Sequence, residues 1–506
     1  MRLPPITIAF FVEANEGKRA EMMRQIGLML LAIGVMLPPA TAALGTTAPT
    51  AASAASTQTV TNLLALSPCC WKLSLAGGHA PDGTDCQADL TSGSADPSGT
   101  VGSQDLLRSS HTFLSLIYDP GLTMRSGVEN VLSVHNGIAW AEDRLIGTRW
   151  FSEEGLPRKT GGVMCRFEKY FLLDRPVDYI SRVFAHEFYG HGARVREFDF
   201  KRVGYSFGLP PPYGEGGGST TFYFTSRLVS NHEMLAIRAA GLGVESLIEQ
   251  ALGLRWLQRA EINYREASIY LESFVGSFDY IQGTKEILAA NQDGHDIVGY
   301  LRLINRHAGR NDDSNLLMNV DDLKTRNLIN LADPFLVYSL VACFKTYLWA
   351  GGTSTALPVV HIKGLDYLPS FRMGLTPFGP EYHMENFFRI RDKVLLADLR
   401  IGDQTFYTSW GGIGVLARNI CASKRLSLDM NLDLWRQPEI EIGGESITSK
   451  GGGLGGAFSV RGRYDLTDSR HPISALIELG YKSPGFLEGY ALDSSPILMV
   501  GMAFKE

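Results

Sequence analysis

The chain has 506 residues, 45% of them apolar and 20% charged, which is enough to bury a large core and excludes a disordered chain or a polytopic helical membrane protein. Its net charge of -6, with no dense run of Lys or Arg, lacks the electrostatic footprint of a nucleic-acid binder. The sequence carries no Walker-type phosphate loop, and its one glycine fingerprint, Gly451 to Gly456, lies between period-two segments and opens no helix.

At the N-terminus, Ile26 to Leu37 form an apolar run preceded by Arg24 and followed by Pro38-Pro39-Ala40-Thr41-Ala42. This is the pattern of a secretory signal over residues 1–42, too short to span a bilayer. Glu13, Glu16 and Glu21 are unusual in a signal n-region, which leaves Met22 or Met23 as an alternative start. Export to the periplasm or outer membrane would place the six cysteines in an oxidising compartment, where only Cys69 or Cys70 with Cys86 are close enough in sequence for a local bridge. Residues 43–103, rich in Ala, Thr, Ser and Gly, predict a flexible leader.

From residue 104 to 352 the apolar spacing is helical, in Val177 to Arg196, His232 to Leu242, Glu245 to Gln258 and Ile262 to Ile287. Asp333-Pro334 opens a further apolar helix that Gly351-Gly352 stops; it holds Lys345, and its length predicts a buried helix.

The chemistry concentrates in Val183-Phe184-Ala185-His186-Glu187-Phe188-Tyr189-Gly190-His191. In a regular α-helix an i, i+4 pair lies about 40° apart around the axis, whereas an i, i+5 pair lies about 140° apart, too far for one ion. Three residues separate Glu187 from His191, so the two histidines share an ion only if the helix is locally widened into a π-turn, which brings them to within roughly 50°. Gly190 lowers the resistance of the backbone to that distortion. Downstream, Ser230-Asn231-His232-Glu233-Met234-Leu235-Ala236 begins another helix.

These two segments resemble the zincin metallopeptidases of the gluzincin branch, in which two helical histidines and a Glu from a later helix hold zinc. The family has two residues between the motif Glu and the second His where this chain has three. The resemblance implies Zn2+ held by His186, His191 and Glu233, with Glu187 as general base toward water and a peptide or protein substrate. His232 is a competing ligand. Tyr223, Tyr264, Tyr270 and His295 are open candidates for a transition-state stabiliser. The segment Tyr213 to Ser219 is a glycine-rich loop followed by a strand-like Thr220 to Thr225, and Arg194 and Arg196 read as solvated helix charges.

Over residues 353–506 the period changes to two. Leu426, Leu428, Met430, Leu432 and Leu434 alternate with polar residues, and three further segments toward Phe504 repeat the pattern. The region holds about eight candidate strands and resembles bacterial outer-membrane barrels, which implies a lipid partner. Lys505 and Glu506, after the final aromatic, depart from that pattern, and a soluble antiparallel sandwich gives the same alternation. The expected fold is therefore α+β, a mainly helical metallohydrolase part followed by an antiparallel β-domain. The expected function is a zinc metallopeptidase, with an outer-membrane structural or binding protein bearing a non-catalytic metal site as the alternative.

Overall fold

The structure, a computed structural model, describes residues 112–145, 156–223, 227–285, 295–310, 315–423, 425–467 and 473–505. The expected signal, the leader and Cys69, Cys70 and Cys86 lie outside the described residues.

The helical part holds α1 (Met124–Leu145), α2 (Leu156–Lys169), α3 (Arg175–Phe184), α4 (Gly192–Glu197), α5 (Asn231–Arg259), α6 (Tyr264–Gln282), α7 (Asp296–His307), α8 (Val320–Asn327) and α9 (Pro334–Leu340). Three π-helical stretches interrupt it, Tyr170–Asp174, Ala185–His191 and Val341–Trp349. Helix α5 is the axis of the core. Its apolar residues, among them Val244, Ile248, Leu252 and Trp256, are fully buried against α1, α6 and the sheet residues Leu368, Phe387 and Leu396. It starts on a reciprocal cap: Ser230 Oγ accepts from the Glu233 N–H and the Glu233 carboxylate accepts from the Ser230 N–H.

The β-part is one ten-stranded antiparallel sheet. Its strands are β1 (Thr112–Tyr118), β2 (Val360–Ile362), β3 (Leu365–Thr376), β4 (Gly379–Ile390), β5 (Lys393–Gly402), β6 (Gly411–Ala422), β7 (Leu426–Gln437), β8 (Gly453–Asp465), β9 (Ile473–Lys482) and β10 (Ser495–Lys505), in the spatial order β1-β10-β9-β8-β7-β6-β5-β4-β3-β2. The period-two segments are strands as expected, but the eight-stranded closed barrel is corrected: β1, contributed from before the helices, pairs with the last strand, and the sheet ends on β1 and β2 without closing. The sandwich is not formed either, since helices cover the inner face and the remaining sheets among the described residues have two strands each.

Among its apolar residues the inner face of the sheet carries charges, several of them in ion pairs. Arg372 reaches Glu385 and Glu488, each at 2.9 Å, and His383 Nδ1 lies 3.0 Å from Asp398. Arg125 of α1 lies 2.9 Å from Glu478, and Gln250 of α5 donates to Glu385 at 2.7 Å. The bonds of Arg125 and Gln250 tie the helices to the sheet, and these ion pairs offset the cost of burying their charges.

Candidate metal centre

The segment from Arg175 runs as regular helix to Phe184 and then widens into π-helix from Ala185 to His191, with the Gly192 N–H donating to the Glu187 carbonyl five residues back. This is the widened turn that the His186/His191 spacing requires. The two imidazoles stand with ring centroids 4.9 Å apart. Gly190 contributes in a second way: a Cβ there would fall 2.8 Å from the Ala240 carbonyl oxygen and 2.9 Å from Gly241 Cα, so the π-turn can lie directly on α5 only with glycine at this position.

The third group at this point is Asp296, the first residue of α7. Its Oδ2 lies 3.1 Å from His191 Nε2 and 3.8 Å from His186 Nε2. The three ligand atoms lie within 4.8 Å of one another, and all three residues are buried or nearly so. Ligand atoms around a tetrahedral zinc at 2.0–2.1 Å stand about 3.3–3.4 Å apart, so the set fits a zinc ion with small adjustment.

The far sides of both rings are fixed. His186 Nδ1 donates to Glu245 Oε1 at 3.0 Å and His191 Nδ1 donates to the Ile237 carbonyl at 2.7 Å, both acceptors coming from α5. A carbonyl or carboxylate can only accept, so each neutral ring carries its proton on Nδ1 and turns the Nε2 lone pair toward Asp296. Arg182 lies 2.8 Å from the same Glu245 oxygen, and Arg238 lies 3.4 Å from Asp296. Burial lowers the affinity of His186 for a proton, but Asp296 and Glu245 outweigh it and raise the group to about 10. Burial likewise works against the Asp296 carboxylate, while His191 and His186 hold it well below the usual range. The centre thus sets two imidazole nitrogens against one carboxylate oxygen.

Glu187, Thr220, Tyr280 and Asp296 line the same cleft of about 940 Å³ as the two histidines. Thr220 Oγ1 donates to Glu187 Oε2 at 2.6 Å and orients the carboxylate. The strand Gly218–Tyr223 passes so close that a Cβ on Gly218 would fall 2.8 Å from Glu187 Cγ. Tyr280 stacks near-parallel on His295 and lies 3.4 Å from Asp296 Oδ2.

Glu233 is not brought to this centre. Its two oxygens are taken by the Ser230 N–H and by Arg227, and it is wholly buried in that cap. The sequence pattern that suggested a ligand is the capping box itself. His232 is engaged elsewhere too, its Nδ1 accepting the Glu441 N–H at 3.0 Å. Of the candidate stabilisers, Tyr264 stacks on Tyr347, Tyr270 bonds Asp333, and Tyr223 is exposed on its strand; only His295 lies beside the centre, behind Tyr280. Arg194 and Arg196 are not solvated: Arg194 is buried against Glu197 and the Tyr490 carbonyl, and Arg196 donates to Tyr205 and to the Leu122 and Phe188 carbonyls.

No protein-family model, curated protein or solved structure matches the chain.

Proposed function

We propose that the protein is a zinc-dependent hydrolase, a metallopeptidase of zincin type, with His186, His191 and Asp296 as metal ligands and Glu187 as general base. The observation that carries this reading is the convergence of His186 Nε2, His191 Nε2 and the Asp296 carboxylate on one point of a cleft that Glu187 also lines. Asp296 takes the place that the gluzincin resemblance gives to Glu233. Two imidazoles and one carboxylate are a donor set that suits zinc and leaves a coordination position open, as catalytic sites require.

A zinc ion held there would supply Lewis-acid activation of water and of an acyl carbonyl. The rest falls to the chain's own groups. Glu245 and the Ile237 carbonyl hold the imidazoles in the ligating tautomer. Glu187, steadied by Thr220, accepts a proton from the attacking water and delivers it to the leaving amine. The strand Gly218–Tyr223 pairs on one side with Lys201–Phe207 and lines the cleft, so a substrate in extended conformation would add along its other edge. The cleft volume accommodates several residues of a peptide.

The test is a comparison of zinc content and hydrolysis of a quenched-fluorescence peptide library between the wild type and Glu187→Gln. Zinc retained with hydrolysis lost supports the reading. Zinc bound by a wild type that cleaves no peptide would favour a non-catalytic metal site.

A further inference from the structure

Ordinary soluble sheets turn polar residues toward water, whereas this sheet turns apolar residues outward and mixes buried apolar residues with charges on its inner face. Following the register across neighbouring strands, one outward row runs Met384, Leu399, Ile413, Leu434 and another Val415, Leu432, Phe458, Tyr481. Ile477 and Val500 continue the face to Tyr118 at the β1 edge. Most of these side chains are exposed, Leu479 of β9 to 54%. One residue along each strand, the inner positions carry Arg372, His383, Arg400, Arg461 and Glu478, all pointing at the helices. Outward charges stand at the rims, Lys393 and Arg436.

An open sheet has a second problem in an apolar solvent, namely the unpaired N–H and C=O groups of its edges. Here helices satisfy them. At β1, the Ser115 N–H donates to Ser133 Oγ at 2.9 Å, and Ser133 Oγ donates back to the Ser115 carbonyl at 2.7 Å. Asn130 does the same for Ile117, at 2.7 and 2.9 Å. At the other side, beyond the short β2, the Met373 N–H donates to Asn330 Oδ1 at 2.6 Å and the Thr376 carbonyl accepts from Tyr300 at 2.7 Å.

The helices that bridge these edges form a chain. Helix α1 covers β1, Glu142 of α1 pairs with Lys169 of α2 at 2.7 Å, and Arg166 of α2 donates to the Leu348 carbonyl at 3.0 Å, in the π-stretch that extends α9. Their exposed faces are apolar: Val134 and Ile138 on α1, Met164 on α2, Leu172 and Leu173 after it, Val337 on α9. The expected buried helix after Pro334 is buried on one face only: Phe335, Ala342, Cys343, Tyr347 and Leu348 enter the core, whereas Val337 is 54% and Trp349 76% exposed. The exposed charge of this stretch, Lys345, lies one turn from Trp349, the pairing found at membrane interfaces. Among the described residues no single helix is long and apolar enough to cross a membrane.

We propose that the outer face of the sheet and the helices closing its open side form one continuous belt that sits in the hydrocarbon of a lipid bilayer. The fold is then a barrel whose wall is completed by α1, α2 and α9. Strands of 10 to 13 residues from β3 to β10 are long enough to cross the hydrocarbon. A soluble partner protein would need to cover the outer face of the ten-stranded sheet and the exposed faces of α1, α2 and α9 at once, which lipid does without a specific fit.

The test is flotation of the full chain, refolded with dioleoylphosphatidylcholine vesicles, as wild type and as Leu479→Arg, Val337→Arg and Leu454→Arg. The wild type should float. An exposed Leu or Val becomes Arg at little cost in water, but at mid-bilayer the ratio of folded, inserted chain to unfolded chain should fall about 30-fold or more. Leu454, at the start of β8 beside the rim Arg436, should tolerate the change. A second measurement does not depend on variants that could misfold: brominated acyl chains should quench Trp349, seen as reduced quenching in Trp349→Phe. The proposal is overturned if the wild type stays in the aqueous layer, if it forms a defined detergent-free oligomer, or if Val337→Arg floats like the wild type and Trp349 is not quenched.

Discussion

Gly241 lies directly beneath the ring of His186: a Cβ on it would stand 2.2 Å from His186 Nε2 and 2.3 Å from Cε1. A helix interior ordinarily gains from Gly→Ala, by about 0.4–1 kcal/mol. Here the methyl would occupy the position of the metal-facing nitrogen. Gly241→Ala should therefore lower zinc affinity about 100-fold and also lower the melting temperature of the metal-free protein, since the methyl displaces a ring bonded to Glu245 and Asp296. Competition with a fluorescent chelator measures the first and calorimetry the second. Wild-type affinity in this variant would mean that the His186 ring does not need its present position.

The ligand set separates Asp296 from Glu233. Asp296→Asn keeps the shape but removes the charge that faces both imidazoles, and zinc should be lost, as in His191→Ala. Glu233→Gln should retain full zinc and lose only the cap and the Arg227 pair, costing about 1–3 kcal/mol of stability. Zinc stoichiometry of the three variants decides. Loss of zinc in Glu233→Gln with retention in Asp296→Asn would reverse the assignment.

The half of the centre on one helix was legible because an i, i+5 pair of histidines admits a shared ion only through a widened turn, and that geometry depends on spacing alone. Asp296 was not legible, since an acid at the first position of a helix is the ordinary complement to its dipole and nothing local distinguishes it. The converse error concerned Glu233, where Ser230-x-x-Glu233 already spelled a capping box. The backbone freedom of Gly190 is legible in the sequence, but its close approach to Gly241 is a fact of tertiary packing. In the β-part, alternation marks the strands, yet which groups satisfy the open edges at β1 and β3 is a fact of tertiary packing, and Asn130, Ser133 and Asn330 carry no signal of it in sequence.

Thr220 tests whether the Glu187 carboxylate needs to be held. Thr220→Val is close to isosteric and removes the donor 2.6 Å from Oε2. With that bond gone, peptide hydrolysis should fall about tenfold in kcat with KM and zinc content unchanged, while Glu187→Gln should lose about 100-fold or more with zinc retained. Thr220→Ser, which restores the hydroxyl, should recover most of the rate. A loss confined to KM would assign Thr220 to substrate binding instead.

Zinc binding should depend on pH with a sign fixed by His186. In the metal-free protein this imidazole faces Glu245 and Asp296, with Arg182 and Arg238 behind those carboxylates and Tyr280 beside Asp296. The two carboxylates outweigh burial and raise it from 6.5 to about 10. Because the folded value lies above the unfolded one, this group stabilises the metal-free protein fully below 6.5, and the contribution is lost as pH rises through 10. Zinc takes only the neutral ring, so binding must displace that proton, and apparent affinity should climb about tenfold per pH unit between roughly pH 6.5 and 8.5. Isothermal titration in buffers of different ionisation enthalpy counts the protons directly, with about one released by His186 at pH 7.5. Glu245→Gln removes one of the two carboxylates, so the ring should titrate at lower pH and release less than a full proton there. An affinity that is flat across this range, with no proton released, would place His186 outside the metal centre.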